Sequence, residues 1–527
     1  MKLWMLLWAC GQNPAPAPEV VSPLVPLPAP RLLRRISLDL RGRLPTAAEL
    51  DAVQENPERL EVITRSYLDD PNFDDRMVSM LAERWLTVLD KYGVEPENYD
   101  LPDEQHDAYA HAIGEEPLRL IAAILQEDRP WAEVVTADHT MANELLASIW
   151  PIDYPAGGEG WQPAHYTDGR PAAGVLSTNG FYWRYVTNQS NKNRGRAAAI
   201  TRLLLCTDLL GRPVEFQRGN NLDPEQALRT EPACVTCHAT VDPIAASLFG
   251  YWWTIQYNPY EMERYHAERE RLGTELLGTE PAWYGQPMGG LVDLGWYIAR
   301  DPRYNRCAVS AFAEQLWHRP VGLEDYPLIE ALREDFEAQG THPQALILAL
   351  LQTDAYRAGA DPREEPTERV ERLLSPGQQR MVYQALAGLD WTEEGAVVLE
   401  NDRTGLRTLG GGVDGYSVTQ PQGSPGLTWV MVNQRAAQAA AQRLVERDYG
   451  RQGANLLRVS IAARPGDAAF EDQLRTLWWQ WMAEPAEQAP VAELSALWAT
   501  VESSDGDAEA WEAVVEAMFR DPSFVSY

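Results

Sequence analysis

The feature that most constrains this chain is a run of five residues: positions 234 to 238 read Cys-Val-Thr-Cys-His. Two thiols three positions apart can each form a thioether with a haem vinyl group, and the histidine that follows then lies where its imidazole ligates the iron. With 5 Cys and 8 His among 527 residues, chance would give this pattern in fewer than about one such chain in a thousand. We therefore predict one covalent haem c, attached through Cys234 and Cys237, with His238 as the proximal ligand of the iron.

Two other interpretations of this run stay open. A thiol pair can lie at the surface without a cofactor, or it can form half of a zinc site. A zinc site with four protein ligands needs a second close pair, and the sequence has no second Cys-x-x-Cys. A thioredoxin-like motif would need a strand-helix-strand setting, which the surrounding pattern does not indicate. Haem attachment is the interpretation that the run favours.

The sequence identifies the second axial ligand of the iron less strongly than the proximal ligand His238. Met288 lies in a Gly- and Pro-rich loop at 285–290, downstream of the motif at a distance typical of class I cytochromes c. Its thioether would give His/Met ligation of the haem iron and a relatively positive reduction potential. Met262 and His266 are alternatives within a charged, helix-like run, and an open or water-bound position is another. Our first choice is Met288.

The residues after the motif carry two further expectations. Asp242-Pro243 predicts that the chain turns away once the motif's helical turn is complete. Phe249, Trp252 and Trp253 predict either an apolar wall beside the haem or ordinary core packing.

The N-terminal residues predict export. Residues 1–9 contain one positive charge, a short apolar stretch and Ala9 directly before Cys10. This is typical of a bacterial lipoprotein signal peptide, cleaved before a cysteine that is then lipidated; an ordinary hydrophobic N-terminus is the alternative. The apolar stretch is too short to span a membrane. Residues 10–30, which begin with the lipidated Cys10, form a Pro-rich linker typical of an extended tether. We expect a lipoprotein of the cell envelope that faces the periplasm, at the outer membrane or the cell surface.

The two remaining cysteines fit the same compartment. With Cys10 assigned to lipid and two thiols to haem, Cys206 and Cys307 are left. In an oxidising periplasm the simplest expectation is a disulfide between them, which would close a long loop around the haem motif. Two buried free thiols are the alternative, because sequence does not give the distance between them.

The charge balance bears on partners. The net charge is −32, from 77 acidic and 45 basic side chains. A field of this sign repels nucleic acid and anionic lipid, so we expect no nucleic-acid partner and membrane attachment by the lipid anchor. The acidity itself is typical of a soluble surface. The expected partners are redox or envelope proteins.

Apolar residues recur at helical spacing along most of the chain, and no series of evenly spaced strands is present. The pattern predicts a mainly α, multi-domain helical protein with a cytochrome c-like haem module and long loops. We expect an N-terminal helical domain at 31–150 and a c-type haem module with C-terminal helices at 151–360. A C-terminal helical domain at 361–527 follows, opened by a charged linker.

Local signals predict where several helices begin. Thr46 and Glu49 have the spacing of a capping box. An Asp-Pro pair followed by an aromatic residue occurs at Asp70, Asp301 and Asp521, where Asp would cap a helix and Pro would open it.

Several of these regions resemble large cytochrome c-like lipoprotein families of unknown function from Planctomycetes and myxobacteria. Residues 34–49 match their R-R-x-x-L-D-L-x-G-x-x-P-T-x-x-E motif nearly throughout. Residues 174–206, the Cys-x-x-Cys-His run and Asp242-Pro243 resemble their haem module, and 301–320 its downstream helix. After Pro243 the sequence departs from the family's Gly-Phe-x-x-Glu-Asn-Phe-Asp pattern. The resemblance implies haem and export without implying a reaction.

Together these features predict a lipid-anchored monohaem c-type protein that transfers electrons in the cell envelope. One alternative is a helical assembly or binding protein that carries a small haem module. Another is a haem enzyme with an open sixth coordination position. We identify no catalytic residue and expect an electron carrier or a binding protein rather than an enzyme.

Overall fold

The computed structural model describes residues 25–209, 211, 224–360, 372–393, 395–451 and 454–527. Within these ranges the chain forms 24 α-helices and nine short strands, which confirms the predicted mainly α, multi-domain fold. No helix in these ranges is both long and apolar enough to cross a lipid bilayer. The predicted signal peptide, the lipidation site Cys10 and the charged linker that follows residue 360 lie outside the described residues.

The helices fall into three groups along the chain. Those before residue 150 are α1 (Ala29–Arg41), α2 (Ala47–Glu55), α3 (Arg59–Tyr67), α4 (Phe73–Trp85), α5 (His106–Gln126) and α6 (Glu144–Ile149). The central group is α7 (Asn179–Arg184), α8 (Arg194–Leu205), α9 (Pro224–Thr230), α10 (Pro232–Ala246), α11 (Pro259–Met262), α12 (Leu272–Leu277), α13 (Leu291–Arg300), α14 (Pro302–Trp317), α15 (Tyr326–Ala338), α16 (Pro343–Leu351) and α17 (Asp354–Arg357). The last group is α18 (Pro376–Ala387), α19 (Leu406–Leu409), α20 (Leu427–Asp448), α21 (Ala468–Met482), α22 (Val491–Asp505), α23 (Asp507–Phe519) and α24 (Pro522–Val525).

The strands are short, and those described pair antiparallel. They are β1 (Val25–Pro26), β2 (Thr140–Ala142), β3 (Ile152–Asp153), β4 (Gln162–Tyr166), β5 (Ala282–Trp283), β6 (Gln286–Pro287), β7 (Ala358–Ala360), β8 (Thr392–Glu393) and β9 (Ala396–Val397). The order β2-β4-β3 makes a small sheet, with Thr140 opposite Ala164. Strand β1 pairs with β7, β5 with β6, and β8 with β9.

The local signals predict most of these helix starts correctly. At the start of α2, Thr46 Oγ1 accepts the amide of Glu49 at 3.2 Å, and Glu49 Oε2 accepts the amide of Thr46 at 2.7 Å. Asp301 caps α14 and Asp521 caps α24, each by accepting an amide two residues ahead. The first Asp-Pro pair differs, because α4 begins only at Phe73, after a turn that precedes it.

Two hydrophobic cores organise the molecule. The first runs from Leu32 to Tyr356, without a break between the predicted N-terminal domain and the predicted haem module, and it also includes Ala483. The second runs from Leu374 to Tyr527 and includes Leu38 of α1. Helix α1 therefore contributes side chains to both cores, and it is buried from Pro30 to Arg41 although that stretch contains five charged residues.

The charged side chains of α1 are satisfied by distant parts of the chain. The guanidinium of Arg34 donates to the carbonyl oxygens of Trp481 at 2.8 Å, Ser526 at 2.9 Å and Phe524 at 2.6 Å. Arg35 donates in the same way to two carbonyls at the start of β7 and just before it. A buried guanidinium is tolerated only where such acceptors replace water. The two arginines of the N-terminal motif therefore hold later segments of the chain against α1.

Asp39 is the centre of a buried polar network. Its Oδ1 accepts the hydroxyl of Tyr527 at 2.7 Å and Nε2–H of His318 at 3.2 Å, and its Oδ2 accepts the hydroxyl of Tyr356 at 3.0 Å. Burial opposes the ionised form of Asp39, but these donors and Arg76 hold its pKa below the ordinary value. Burial, reinforced by nearby positive charge, lowers the pKa of His318 to about 4.

We expect Arg34→Lys to lower the free energy of unfolding by about 3 kcal/mol or more, because an ammonium keeps the charge but does not reproduce the guanidinium fork. Arg65→Lys is the matched control, since that side chain is 60 % exposed and paired only with Glu61 one turn away. The control should change the free energy by less than about 0.5 kcal/mol. Denaturant unfolding followed by far-ultraviolet circular dichroism measures both. Equal effects would exclude the docking role.

The contribution of His318 to stability should fall as the pH is lowered from about 6.5 to about 4. In this window unfolded His318 takes up a proton while the folded residue does not, so protons favour the unfolded chain. The loss is about 1.4 kcal/mol for each unit that separates the two pKa values. His318→Gln removes this group and leaves every other titrating group in place. Its unfolding free energy should therefore depend less steeply on pH, and parallel curves for the two proteins would contradict the assignment.

Candidate functional site

The predicted haem motif lies on helix α10. Pro232 occupies the first turn, where its missing amide hydrogen costs nothing. Cys234, Cys237 and His238 follow at the spacing i, i+3 and i+4, which places them on one face of the helix. Both thiols are free and half-buried. The expected turn at Asp242-Pro243 is wrong, because α10 continues through Pro243 to Ala246.

The extension of α10 creates the central contact of the site. His238 Nδ1 lies 2.8 Å from Oδ1 of Asp242, one turn further along the helix. An ionised carboxylate only accepts, so Nδ1 carries the hydrogen and Nε2 carries the lone pair that a metal ion would use. The side chain of His238 is 23 % exposed and that of Asp242 is 10 % exposed.

Asp242 is held in turn by helix α8. Nε of Arg194 donates to Oδ1 of Asp242 at 2.8 Å, and Nη2 donates to Oδ2 at 3.0 Å. Burial alone would raise the pKa of Asp242, but the hydrogen bonds from His238 and Arg194 keep it below the ordinary value. The carboxylate is therefore ionised at neutral pH, with one oxygen shared between a guanidinium and an imidazole.

The backbone and hydrogen bonds at the start of α8 position the side chain of Arg194. Asn193 precedes it with a left-handed backbone (φ 65°), and the amide of Asn193 donates to Thr187 Oγ1 at 2.8 Å. Arg196 is fully buried and donates to the carbonyl oxygens of Tyr185 and Tyr251 at 2.7 Å. These bonds tie the loop and the helix to the first core, and α8 packs directly against α10.

Met288 follows a hairpin that contacts the motif helix. It follows β6 in the β5–β6 hairpin, and its amide donates to the carbonyl of Pro281 at 3.0 Å. Its side chain is buried in the first core, and strand β5 of the hairpin packs against α10. The structure thus brings strand β5, which begins the hairpin before Met288, to the same helix as His238.

The two alternative ligands have their ligand atoms engaged locally. The sulfur of Met262 accepts the amide of Tyr257 at 3.1 Å, and its side chain is buried rather than on a solvated face. His266 Nε2 lies 2.9 Å from the carbonyl of Glu261, and its Nδ1 lies 3.3 Å from a carboxylate oxygen of Glu268. Ligation by either residue would break these contacts, so Met288 stays the first choice.

The three aromatic residues after α10 belong to the first core. Phe249 and Trp252 stack with ring centroids 5.0 Å apart, and the guanidinium of Arg196 lies 4.5 Å from the ring of Trp253. All three are buried. Their placement fits ordinary core packing, the second of the two expectations from sequence.

Cys206 and Cys307 form a disulfide, with Cα atoms 5.2 Å apart. The bond joins the residue that ends α8 to α14, and the guanidinium of Arg84 donates to the sulfur of Cys206 at 3.1 Å. The closed loop spans 101 residues and contains both the Cys-x-x-Cys-His run and Met288. The free-thiol alternative does not describe this structure.

Within the described ranges, no group of three or more His, Cys, Asp and Glu side chains is arranged to hold a metal ion directly. A haem iron asks less of the protein, because the porphyrin nitrogens supply four ligands and the chain only one or two. Cys234, Cys237 and His238 on one helix face fit that requirement.

Comparison with known proteins adds one match. The model of a family described as a protein of unknown function (DUF1592) matches residues 32–152. The matched segment contains α1 to α6 with their buried arginines and Asp39, and it ends well before α10. No curated protein and no solved structure matches the chain. Over this segment the chain is similar to an uncharacterised family, which assigns it no reaction.

The disulfide yields a stability prediction. Replacing both cysteines, as Cys206→Ala with Cys307→Ala, should lower the free energy of unfolding by about 2 to 5 kcal/mol, because the unfolded chain regains the freedom of a long loop. Denaturant unfolding with and without reductant measures the effect. Reductant should destabilise the parent protein by a similar amount and leave the double variant unchanged. A parent protein that is insensitive to reductant and as stable as the variant would contradict the prediction.

Proposed function

We propose that this chain is a monohaem c-type electron-transfer protein, held at the cell envelope by a lipid on Cys10. The observation that supports it most is the Cys-x-x-Cys-His run on one half-buried helix face, with Nδ1 of His238 hydrogen-bonded so that Nε2 is left for iron. This is the arrangement by which proteins commonly prepare a histidine ligand. The resemblance of residues 34–49 and of the haem module to cytochrome-bearing lipoproteins points the same way.

Each residue of the site has a limited role in this proposal. A bound haem supplies the one-electron change between ferric and ferrous iron. Cys234 and Cys237 would hold the ring through two thioether bonds, and His238 would ligate the iron through Nε2. Met288, which follows a hairpin whose strand β5 packs against α10, would supply a second, sulfur ligand.

The surroundings of the site support a carrier that changes little between its redox states. Helix α10 packs against α8, α9, α12 and β5, and Arg196 and the disulfide tie α8 to the first core and to α14. A rigid site reorganises little when an electron arrives, which favours transfer over binding chemistry. The disulfide also suits an exported protein, since such bonds persist in oxidising compartments.

The test is the spectrum of the protein matured in a periplasm that attaches haem c. We expect a pyridine haemochrome typical of two thioethers and one haem per chain, and both should vanish in Cys234→Ala with Cys237→Ala. We expect a weak far-red sulfur-to-iron band that disappears in Met288→Ala, because the thioether is then gone. Met262→Ala is the matched control, since it removes another buried methionine of the same core. It should keep the band.

Other outcomes would redirect the proposal. A parent protein without covalent haem would exclude the function. Rapid binding of carbon monoxide by the parent protein would show an open iron, and would favour a haem enzyme over an electron carrier. Loss of the far-red band in Met262→Ala but not in Met288→Ala would assign the sixth ligand to Met262 instead of Met288.

A further inference from the structure

We infer that Asp242, clamped by Arg194, is a positioning residue that sets the electron-donating strength of His238 and thereby lowers the reduction potential of the iron. This inference rests on the proposed function. It adds a control of the potential that the Cys-x-x-Cys-His run does not contain.

The hydrogen bond between the two residues is built into one helix. Asp242 lies four positions after His238 on α10, so the helix geometry alone keeps their side chains together. The distance from Nδ1 to Oδ1 is 2.8 Å, in the range of charge-assisted bonds. The bond fixes the orientation of the imidazole ring. It also selects the tautomer in which Nδ1 carries the hydrogen and Nε2 carries the lone pair.

The carboxylate acts on the ring more strongly than a neutral acceptor would. A hydrogen bond to an ionised group is about twice as strong as one between neutral groups. It draws the Nδ1 hydrogen toward Asp242 and enriches the electron density of the imidazole, which makes Nε2 a better donor. A stronger donor stabilises ferric more than ferrous iron, so the potential falls.

The burial of Asp242 adds to this effect. Its side chain is 10 % exposed whereas that of His238 is 23 % exposed, so the charged group is the more buried of the two. Water screens a buried charge less than an exposed one. The protein must compensate such a charge, and the paired bonds from Arg194 do so.

Arg194 therefore moderates the effect. Its guanidinium draws electron density from the carboxylate. Less of the negative charge of Asp242 therefore acts on the imidazole. Without Arg194 the carboxylate would pull harder on the Nδ1 hydrogen, and the potential would fall further. Variants of the two residues should thus shift the potential in opposite directions.

A merely structural role predicts a different pattern. The contact between Asp242 and Arg194 also joins α10 to α8, so either substitution could loosen the two helices. Loosening would admit water beside the site in both variants and would shift the potential in the same direction. The sign of the shift distinguishes the two roles.

The experiment uses the full-length protein loaded with haem, and measures the reduction potential by spectroelectrochemical titration. Asp242→Asn keeps the shape and an acceptor but removes the charge. It should make the iron at least tenfold easier to reduce, a rise of about 59 mV. Arg194→Gln should lower the potential. Glu275→Gln is the matched control, because it removes one exposed negative charge from α12, which packs against α10. The shift of the control measures the general effect of charge.

Resonance Raman spectra give a second readout in the Met288→Ala background, where the ferrous iron keeps only the histidine. The iron-histidine stretching frequency should fall in Asp242→Asn and rise in Arg194→Gln, because bond strength follows the donor strength of Nε2. If Asp242→Asn folds poorly, Arg194→Gln still tests the inference, because both its stretching frequency and its reduction potential have a predicted sign.

Two results would overturn the inference. The first is covalent haem with normal spectra in all variants, together with a shift in Asp242→Asn no larger than that of Glu275→Gln and an unchanged stretching frequency. The second is a shift of the same sign in Asp242→Asn and Arg194→Gln. Both leave the proposed function intact, whereas a parent protein without covalent haem overturns the function and this inference with it.

Discussion

The guanidinium of Arg34 holds two distant segments of backbone against the first helix. Its nitrogens donate to the carbonyls of Trp481, Phe524 and Ser526, and the group is fully buried. A buried guanidinium that loses its acceptors costs roughly 3 to 5 kcal/mol. Docking of α1, α21 and α24 is therefore close to all-or-none. Because α1 also contributes to the first core, this helix joins the second core to the core that contains residues of α10.

This dependence explains why the segment that matches the uncharacterised family, residues 32–152, is not complete by itself. Asp39 lies within it, yet its hydrogen-bond donors His318, Tyr356 and Tyr527 all lie beyond it. In isolation the segment would lose these three hydrogen-bond donors to Asp39 and the carbonyl acceptors described for Arg34 and Arg35. The arginine and aspartate positions of the motif thus bind the rest of the chain, and the Cys-x-x-Cys-His run lies outside the matched segment.

Local signals predicted local structure well, and failed where the partner was distant or where a helix overrode a turn signal. The capping box at Thr46 and the caps at Asp301 and Asp521 depend on atoms three residues away or fewer, so sequence was sufficient. The carbonyl partners of Arg34 lie 447 to 492 residues away, so the sequence around Arg34 does not reveal them. Pro243 was interpreted as a stop, but the packing of α10 against its neighbours carries the helix past it. That error concealed the contact between Asp242 and His238, although a His and an Asp four positions apart are the signal that would have found it.

The site and the scaffold meet at α8. Its first residue, Arg194, clamps the carboxylate behind His238, and its C-terminal cap, Cys206, forms the disulfide to α14. Between them Arg196 bonds to backbone carbonyls of the first core. A shift of α8 along its axis would therefore disturb the clamp, the core and the disulfide together. Since a hydrogen bond weakens steeply with distance and angle, this anchoring keeps the carboxylate within bonding distance of the imidazole. In the proposed haem site, the electron-donating strength of His238 would therefore depend on the same packing that stabilises the fold, and not on the five residues of the motif alone.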